Sequence, residues 1–319
     1  MTQILINLLY LALGTAGLYY GAEFLIKGGV AVARKAGVSS MVIGLTLVAF
    51  ATSAPELVVS VSAGLKGNAD VALGNVIGSN ICNIALILGL CGLISPLPVE
   101  KKLFRFDLPV MVIASLILTA FCFKGAVIGR WQGLVLFIGL LGYTGWNIYV
   151  SRKENAVSEK EEKEEDVIKM SFGVSLFWVI LGLGLLVGGA KFFLSGAEYI
   201  ARLFHLSDAV IGLTVVAVGT SLPELATSLV AAVKREQDIA IGNVVGSNIF
   251  NILGIIGIAP LVSPLRNYTI NAVDLGVMLL CTIGLLPLMR TGWKISRAEG
   301  FLMLLVYCGY TAYLILHHS

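Results

Sequence analysis

The fold is decided by the segment at residues 42–84, which reads VIGLTLVAFATSAPELVVSVSAGLKGNADVALGNVIGSNICNI. The same pattern recurs at residues 210–252, at a constant offset of 168 and without a gap, and 26 of the 43 aligned positions are identical. The identical positions include Asn, Glu, Pro and Gly as well as apolar residues, so shared hydrophobicity does not explain them. The chain is therefore predicted to contain two copies of one structural unit.

The regions around the two copies are also apolar. Of the 319 residues, 57% are hydrophobic and 13% are charged, whereas soluble domains contain about 25% charged residues. The mean hydropathy is +0.92. These values exclude an ordinary soluble enzyme and disfavour a disordered chain, a disulfide scaffold and a nucleic-acid-binding protein. They predict a polytopic membrane protein that is surrounded by the lipid bilayer.

The apolar runs indicate about ten membrane-spanning helices, at about 20 residues for each span. The segment at 151–170, which reads SRKENAVSEKEEKEEDVIKM, is too highly charged for hydrocarbon and is predicted to be a linker. It separates a first five-helix repeat at 1–150 from a second five-helix repeat at 171–319. Five is an odd number, so equivalent helices must cross the membrane in opposite directions. The expected fold is an all-α membrane protein with two inverted repeats, which is typical of secondary transporters.

The positive charges predict the orientation in the membrane. Loops on the side of the N-terminus carry five Lys and Arg residues, and loops on the opposite side carry fifteen. Positive residues are enriched in cytoplasmic loops. Both termini are therefore predicted to be outside, and the charged linker is predicted to be cytoplasmic.

Two acidic residues, Glu56 and Glu224, lie at equivalent positions deep in apolar spans. A carboxylate at the bilayer centre costs at least ~2.5–3.5 kcal/mol, so the pair predicts a compensating cation. Pro55 and Pro223 precede the two glutamates. A proline inside a helix kinks or unwinds it and frees backbone carbonyls, which is tolerated at membrane depth where the chain lines a cavity. We therefore expect broken helices at the midplane.

Helical spacing gathers further oxygen-bearing side chains around the two glutamates. The predicted stripes are Thr52, Glu56 and Ser60; Thr220, Glu224 and Ser228; Asn75, Ser79 and Asn83; and Asn243, Ser247 and Asn251, with Ser53 and Ser221 beside the kinks. This set contains only oxygen ligands, without histidine or a necessary thiolate. Such ligands favour hard cations such as Ca²⁺ and Na⁺ over zinc, copper or iron.

Several residues near these stripes are equally compatible with a structural role. Asn75 and Asn243 lie toward the starts of their helices, so capping or packing competes evenly with ion binding. Asn80 and Asn248 lie about 100° from the face of the stripes, so hydrogen bonding between helices is at least as well supported for them as ion binding. The remaining structural predictions are close helix packing at Gly74-xxx-Gly78 and Gly242-xxx-Gly246, and an i, i+4 pair of Glu23 with Lys27.

The twin segments closely resemble the alpha repeats of the sodium/calcium exchanger family, within the calcium/cation antiporter superfamily. The residues that carry the resemblance are Gly44–Glu56 with Gly74–Asn83, and Gly212–Glu224 with Gly242–Asn251. The resemblance covers essentially the whole chain and is closest to the compact prokaryotic type. It implies a location in the prokaryotic cell (inner) membrane.

The resemblance implies exchange of Na⁺ for Ca²⁺ by alternating access, with the first and sixth helices sliding across the core. Both cations are then substrates, and no cofactor is expected. The implied ligands are Glu56 and Glu224, the hydroxyls of Thr52, Thr220, Ser53, Ser79, Ser221 and Ser247, the carbonyls of Ala49 and Ala217, and the side chains of Asn83 and Asn251. Some relatives carry Asp where this chain has Asn83 or Asn251. With Asn at both positions, the centre keeps two carboxylates, which argues against a potassium-coupled mode.

A secondary active antiporter, not an enzyme, is thus the predicted function. Exchange of H⁺ for Ca²⁺ is the alternative, because the two carboxylates can also carry protons. A passive cation channel fits the broken helices, but inverted five-helix halves favour a carrier. An intramembrane hydrolase has only the paired carboxylates in its support. The sequence leaves open whether the protein is monomeric.

Overall fold

A computed structural model describes residues 2–122, 127–158, 170–204, 217–266 and 270–318. Within these ranges the chain forms long helices, a few short turns and four strands of two residues each. The helices are α1 (Thr2–Ala36), α2 (Ser40–Thr52), α3 (Ala54–Leu65), α4 (Ala69–Ile94), α5 (Leu103–Cys122), α6 (Arg130–Ser158), α7 (Phe172–Leu203), α8 (Leu222–Val233), α9 (Gln237–Val262), α10 (Ala272–Arg290) and α11 (Arg297–His318). The strands are β1 (Leu97–Pro98), β2 (Val127–Ile128), β3 (Leu265–Arg266) and β4 (Lys294–Ile295).

The length and composition of the helices confirm an integral multi-pass membrane protein that is nearly all α-helical. In the described part of the chain, eight helices are long and apolar enough to cross a membrane, and the bent pair α2–α3 makes nine. Helix α8 is apolar but has only 12 residues. Residues 205–216, which precede the turn before α8, lie outside the described residues. The number of ten spans therefore stays a prediction.

Helices α2 and α3 form one apolar segment that is broken at Ser53, where the axis bends by 47°. Pro55 has no N–H to donate, and its ring clashes with the carbonyl of Ala51, so a regular helix cannot continue. The same geometry recurs before α8. The backbone angles are φ −83° and ψ 6° at Ser53, and φ −87° and ψ 8° at Ser221. The predicted break is thus confirmed in α2–α3.

Turns of π-helix occur within several of the long helices. They lie at Gly44–Val48, Cys82–Leu88, Leu103–Asp107 and Phe250–Ile255. The second and fourth of these turns contain Asn83 and Asn251. A π-helical turn holds more residues than an α-helical turn and is frequent at functional sites. The ideal spacing behind the predicted stripes therefore does not extend through Asn83 and Asn251.

Helices α1 and α7, the first helices of the two predicted repeats, pack against each other along most of their lengths. A Cβ atom on Gly14 would lie 2.5 Å from the backbone nitrogen of Phe193, and one on Gly28 would lie 2.8 Å from that of Val179. Residue numbers increase along α1 in the direction in which they decrease along the facing side of α7, so the two helices are antiparallel. Glycine permits this approach because any side chain would collide with the facing backbone.

Helix α9 packs against α2 through its Gly242-xxx-Gly246 pattern. A Cβ atom on Gly242 would lie 2.8 Å from the carbonyl oxygen of Met41, and one on Gly246 would lie 2.5 Å from that of Leu45. The predicted packing role is confirmed for this pair. For Gly74-xxx-Gly78, the partner expected from the repeat is residues 209–214, which lie outside the described residues.

The predicted pair of Glu23 with Lys27 is wrong. Glu23 Oε1 lies 2.6 Å from Nζ of Lys234, which immediately follows α8. Lys27 Nζ instead lies 4.5 Å from the centroid of the Trp178 ring on α7. Tertiary packing thus supplies a basic partner and an aromatic face that helix spacing alone does not reveal.

Helix α6 continues to Ser158, into the segment predicted as a linker. Arg152 Nε donates to the carbonyl oxygen of Ala36 at 2.9 Å, and the backbone N–H of Ser39 donates to Ser151 Oγ at 2.9 Å. These bonds fasten the end of α6 to the turn between α1 and α2. Residues 159–169 of the linker lie outside the described residues.

Short strands connect the two predicted halves at the ends of the helices. β1 pairs antiparallel with β4, and β2 pairs antiparallel with β3. Each pair takes one strand from residues 1–150 and the other from residues 171–319. The two strand pairs therefore add backbone hydrogen bonds between residues 1–150 and residues 171–319.

Candidate cation-binding site

Glu56 and Glu224 occupy the same position in their helices. Each is the third residue after its break, on α3 and α8 respectively, and their side chains are 0% and 1% exposed. The first turn of a helix is electropositive because its N–H groups lack intrahelical partners, so it favours a carboxylate. The break thus places two negative charges at two helix N-termini inside the protein.

The two carboxylates accept hydrogen bonds across the interface between the halves. Ser53 Oγ donates to Glu224 Oε1 at 2.8 Å, and Ser221 Oγ donates to Glu56 Oε1 at 3.2 Å. Each serine therefore serves the glutamate of the other half. The second oxygen, Oε2, of both glutamates is buried without a hydrogen-bond partner. The structure thus brings together the two glutamates and the two serines beside the kinks.

The two predicted threonines also contact the opposite half. Thr52 Oγ1 donates to Asn243 Oδ1 at 3.1 Å and lies 3.3 Å from the carbonyl oxygen of Ala49. Thr220 Oγ1 donates to Asn75 Oδ1 at 3.5 Å. Thr52 is fully buried, so water does not compete for its hydroxyl. The threonines lie beside the glutamates, and the asparagines join them there.

Ser60 and Ser228, the last members of the first two stripes, have a different function. Ser60 Oγ accepts from Asn75 Nδ2 at 2.9 Å, and Ser228 Oγ accepts from Asn243 Nδ2 at 2.9 Å. Both serines are 0% exposed. They hold the asparagines in place, one turn beyond each glutamate.

The remaining predicted side chains on α4 and α9 are all buried. Ser79 Oγ lies 3.4 Å from Ser221 Oγ, so it can donate to the serine whose own proton is directed to Glu56. Ser247 Oγ has no partner, and neither amide atom of Asn83 has one. Asn251 Nδ2 donates to Asn80 Oδ1 at 3.1 Å, whereas Asn251 Oδ1 is unpartnered. Most of these buried oxygens are thus free to accept a ligand.

The predicted carbonyl ligands belong to Ala49 and Ala217. Ala49 is buried, and its oxygen already accepts from the N–H of Ser53 at 3.0 Å. Ala217 begins a single helical turn, Ala217–Gly219, that leads to the second break. Both alanines therefore lie in the turn immediately before a break.

The prediction of an interhelical hydrogen bond is confirmed for Asn80, which accepts from Asn251 across the two halves. The equivalent bond between Asn83 and Asn248 is not present, and both amides are buried and unpartnered. The roles of Asn75 and Asn243, which sequence reasoning left open, are now visible as bridges between halves. In the sequence, Asn75 and Asn243 each lie four residues before the serine of the same stripe, Ser79 or Ser247. This spacing alone indicates that they share a helix face with the predicted ligands.

Unpartnered polar atoms are concentrated in this one region. Among the described residues, the buried side-chain atoms without a hydrogen-bond partner include nine on residues that are identical in the two copies, one on Thr227 within the second copy, and one on Asn147 outside both copies. Buried polar groups are nearly always satisfied, so such a concentration requires an explanation. Six of the nine atoms are oxygens, on Glu56, Asn83, Glu224, Ser247, Asn248 and Asn251. A site lined by buried oxygens and two carboxylates is chemically suited to a hard cation.

Comparison with known proteins agrees with this geometry. The family described as sodium/calcium exchanger protein matches the chain over residues 6–149 and again over residues 174–316. The sodium/calcium exchanger MaX1 of Methanosarcina acetivorans is 33% identical, over 97% of this chain and 98% of its own length. The membrane protein MJ0091 of Methanocaldococcus jannaschii is 38% identical, over 96% of this chain and 97% of its own length.

The fold also matches a solved structure of the sodium-calcium exchanger NCX_Mj, soaked with 10 mM Na⁺ and without Ca²⁺. The TM-score is 0.82 at 35% identity, and the match covers 97% of this chain and 99% of that one. Fold and site together define a membrane ion exchanger. The chain belongs to the sodium/calcium exchanger family and is of its compact prokaryotic type.

Proposed function

We propose that the protein is a secondary active antiporter that exchanges Na⁺ for Ca²⁺ across the membrane by alternating access. The observation that carries this proposal is the pair Glu56 and Glu224. Each carboxylate is buried, is held through Oε1 by a serine of the other half, and keeps Oε2 without a partner. Two such charges in a nonpolar interior need positive charge nearby.

Charge balance explains why the two cations compete. One Ca²⁺ neutralises both carboxylates and takes six to eight oxygen ligands, which the surrounding hydroxyl, amide and carbonyl oxygens can supply. Na⁺ needs the same carboxylates, so Ca²⁺ and Na⁺ do not fill the site together. The predicted ligands remain the two glutamates and Thr52, Thr220, Ser53, Ser221, Ser79, Ser247, Asn83, Asn251, Ala49 and Ala217. An empty site leaves two buried charges unpaired, which opposes the switch between inward-open and outward-open states.

The proposed architecture has ten spans in two inverted repeats of five. In this proposal the apolar run at about 208–232 is the second span of the second half, as the counterpart of α2–α3, although part of it lies outside the described residues. The antiparallel packing of α1 and α7 supports the inversion, since equivalent helices then cross in opposite directions. The reciprocal bonds Ser53–Glu224 and Ser221–Glu56 support a two-fold relation between the halves.

We also propose that α1 and α7 slide together across the other helices. Their glycine-mediated contact makes them one closely packed body. Both termini are outside and the linker is cytoplasmic in this proposal, in a prokaryotic cell (inner) membrane, because positive residues are three times as frequent on the linker side. Ca²⁺ and Na⁺ are the substrates, and the monomer contains the complete site.

Exchange of H⁺ for Ca²⁺ is the second candidate. The unpartnered Oε2 atoms of Glu56 and Glu224 favour it, since each can accept a proton as well as a cation. The many neutral oxygens nearby favour Na⁺, because a proton needs one acceptor whereas Na⁺ needs several. The coupling ion is therefore the point that an experiment has to decide.

The test is uptake of ⁴⁵Ca²⁺ into proteoliposomes that contain the purified full chain. We expect uptake when Na⁺ is loaded inside and none when only a pH gradient is imposed. Glu56→Gln and Glu224→Gln are expected to abolish it. Ser115→Ala is a matched control, because Ser115 is equally buried in a span but bonds only to the carbonyl of Met111 in its own helix. Uptake driven by the pH gradient alone would show that H⁺, not Na⁺, is the coupling ion. Uptake without a Na⁺ or pH gradient would indicate a channel and contradict the antiport proposal.

A further inference from the structure

Asn75 on α4 and Asn243 on α9 lie outside the predicted ligand set, yet each connects the broken helix of its own half with the threonine of the other half. We propose that they are positioning residues. They turn the hydroxyl protons of Thr220 and Thr52 away from the bound cation, so that the hydroxyl oxygens can act as ligands. This inference rests on the proposed function and adds two residues to the machinery of the same site.

The orientation of the Asn243 amide is determined by its neighbours. Nδ2 donates to Ser228 Oγ at 2.9 Å and to the backbone carbonyl oxygen of Glu224 at 3.4 Å. A carbonyl oxygen can only accept, so the NH₂ group of the amide must face it. Oδ1 then points the other way, to Thr52 Oγ1 at 3.1 Å. The reversed amide would bring two carbonyl oxygens together and lose both donated bonds.

Asn75 repeats the arrangement in the other half. Its Nδ2 donates to Ser60 Oγ at 2.9 Å and to the backbone carbonyl oxygen of Glu56 at 3.2 Å. Its Oδ1 accepts from Thr220 Oγ1 at 3.5 Å. The same three kinds of contact thus occur on both sides of the site. Because the same contacts occur at both equivalent positions, we attribute a specific role to the two asparagines.

The consequence for Thr52 follows from the chemistry of a hydroxyl, which has one proton and two lone pairs. The proton has two backbone or amide acceptors, Asn243 Oδ1 at 3.1 Å and the Ala49 carbonyl oxygen at 3.3 Å. When the proton points to Asn243, the lone pairs of Oγ1 and the Ala49 oxygen both remain available to a cation. When Asn243 is absent, the proton turns to Ala49, and that carbonyl oxygen is no longer free for the cation.

Loss of a positioning residue should therefore weaken cation binding more than it slows the conformational switch. Removing a buried hydrogen bond of this kind changes an equilibrium constant about tenfold. We expect Asn243→Ala to raise the KM for Ca²⁺ about tenfold and to change the maximal rate of Na⁺-driven uptake less than about threefold. A residue that only stabilises the fold would lower the amount of folded protein and leave the KM unchanged.

The test is a pair of double-mutant cycles on the full chain in proteoliposomes, with ⁴⁵Ca²⁺ uptake as the readout. The first cycle combines Asn243→Ala with Thr52→Val, which removes the hydroxyl but keeps the shape. The second combines Asn243→Ala with Thr220→Val, whose hydroxyl contacts Asn75 instead. Contacting residues are coupled, whereas separate ones are additive. We expect Asn243→Ala to change KM by less than about twofold in the Thr52→Val protein and by about tenfold in the Thr220→Val protein.

Two further variants keep the inference falsifiable. Thr52→Ser retains the hydroxyl, so Asn243→Ala should again raise KM about tenfold in that background. If Asn243→Ala does not fold, the mirror cycle of Asn75→Ala with Thr220→Val and Thr52→Val supplies the same comparison. An equal effect of the asparagine substitution in both valine backgrounds would overturn the positioning role.

The proposed function can fail separately. If the unsubstituted protein shows no Na⁺-driven uptake, the antiport proposal is wrong. The cycles are then measured as equilibrium ⁴⁵Ca²⁺ binding to the purified proteins. Coupling of Asn243 to Thr52 but not to Thr220 supports the positioning role there, and its absence contradicts it.

Discussion

The two carboxylates of the site are equivalent in sequence but are not held equally. Ser53 reaches Glu224 at 2.8 Å, whereas Ser221 reaches Glu56 at 3.2 Å. The bridging contacts differ in the same direction, with 3.1 Å between Thr52 and the Asn243 amide and 3.5 Å for their counterparts in the other half. The serine and threonine contacts are therefore shorter around Glu224, whereas the bond from the asparagine to the backbone carbonyl of the glutamate is shorter on the Glu56 side, at 3.2 Å against 3.4 Å.

Burial follows the same asymmetry. Asn243 is 0% exposed, whereas Asn75 is only partly buried. Asn251 bonds to Asn80, whereas neither member of the equivalent pair across the halves, Asn83 and Asn248, has a partner. In the proposed architecture of inverted repeats, each open state faces one side of the membrane, so the two halves differ in that state. Nearly identical sequences thus hold the two glutamates by hydrogen bonds of different length, and substitution of the donors tests whether this difference affects ion exchange.

The largest effect should come from the glutamates and should be equal on both sides. Glu56→Gln and Glu224→Gln each remove one of the two charges that Ca²⁺ neutralises in the proposed function. We expect each to lower Na⁺-driven Ca²⁺ uptake by at least about 100-fold, since a buried charge interaction of several kcal/mol is lost. If a variant keeps more than a tenth of the uptake, its glutamate is not a ligand of the transported cation. Ser115→Ala serves as the control.

The serines should separate the two sides. Ser53→Ala removes the shorter bond, to Glu224, and is expected to raise the KM for Ca²⁺ about tenfold. Ser221→Ala removes the longer bond, to Glu56, and should raise it about threefold. The measurement is the Ca²⁺ dependence of uptake at a fixed Na⁺ gradient. The reverse order of the two values would show that hydrogen-bond length does not report how firmly each glutamate is held.

The close packing of α9 against α2 should be disrupted even by one added methyl group. A Cβ atom on Gly246 would lie 2.5 Å from the Leu45 carbonyl oxygen, whereas one on Gly145 of α6 would meet nothing within 4 Å. Overpacking costs about 1–3 kcal/mol. Gly246→Ala should lower the melting temperature of the purified protein by about 5 °C, and Gly145→Ala should leave it unchanged. Equal melting temperatures would contradict the close packing.

The smallest effect concerns two buried carboxylates outside the site. Asp107 accepts from Tyr143 at 2.8 Å and from Asn147 at 3.1 Å. Its counterpart, Asp274, accepts from Tyr310 at 2.9 Å and is also held by a helix cap. Tyr143→Phe should lower the melting temperature by about 3 °C and Tyr310→Phe by about 1 °C, because the Tyr143–Asp107 bond is buried whereas the Tyr310–Asp274 bond is only partly buried.

Neither phenylalanine variant should change the KM for Ca²⁺, since neither tyrosine contacts the glutamates in the described structure. A changed KM would connect these carboxylates with ion exchange. Equal losses of melting temperature would show that the burial of these two hydrogen bonds does not determine their contribution to stability.

Much of this site could be predicted from the repeated segment. Glu56 and Glu224 were identified because a carboxylate in an apolar span is costly and occurs here twice. The break at Ser53 followed from Pro55, whose ring excludes a regular helix. These predictions depend on local chemistry, and local chemistry is contained in the sequence.

Contacts between the halves could not be predicted in the same way. Spacing on one helix does not reveal that Ser53 donates to Glu224, or that Asn243 accepts from Thr52, because those contacts depend on how the helices pack. Glu23 was assigned to its helix neighbour for the same reason, although the packed structure offers Lys234. The π-helical turn around Asn83 further alters which residues share a face.

The central claim is that two mirror-related acids hold one hard cation between the halves. It is tested most directly by equilibrium binding of ⁴⁵Ca²⁺ to the purified protein, with and without Na⁺. The account predicts that one Ca²⁺ binds per chain, that Na⁺ displaces it competitively, and that the combined variant Glu56→Gln with Glu224→Gln binds none. Ca²⁺ binding that persists in the combined variant, or full Ca²⁺ occupancy at saturating Na⁺, would contradict it.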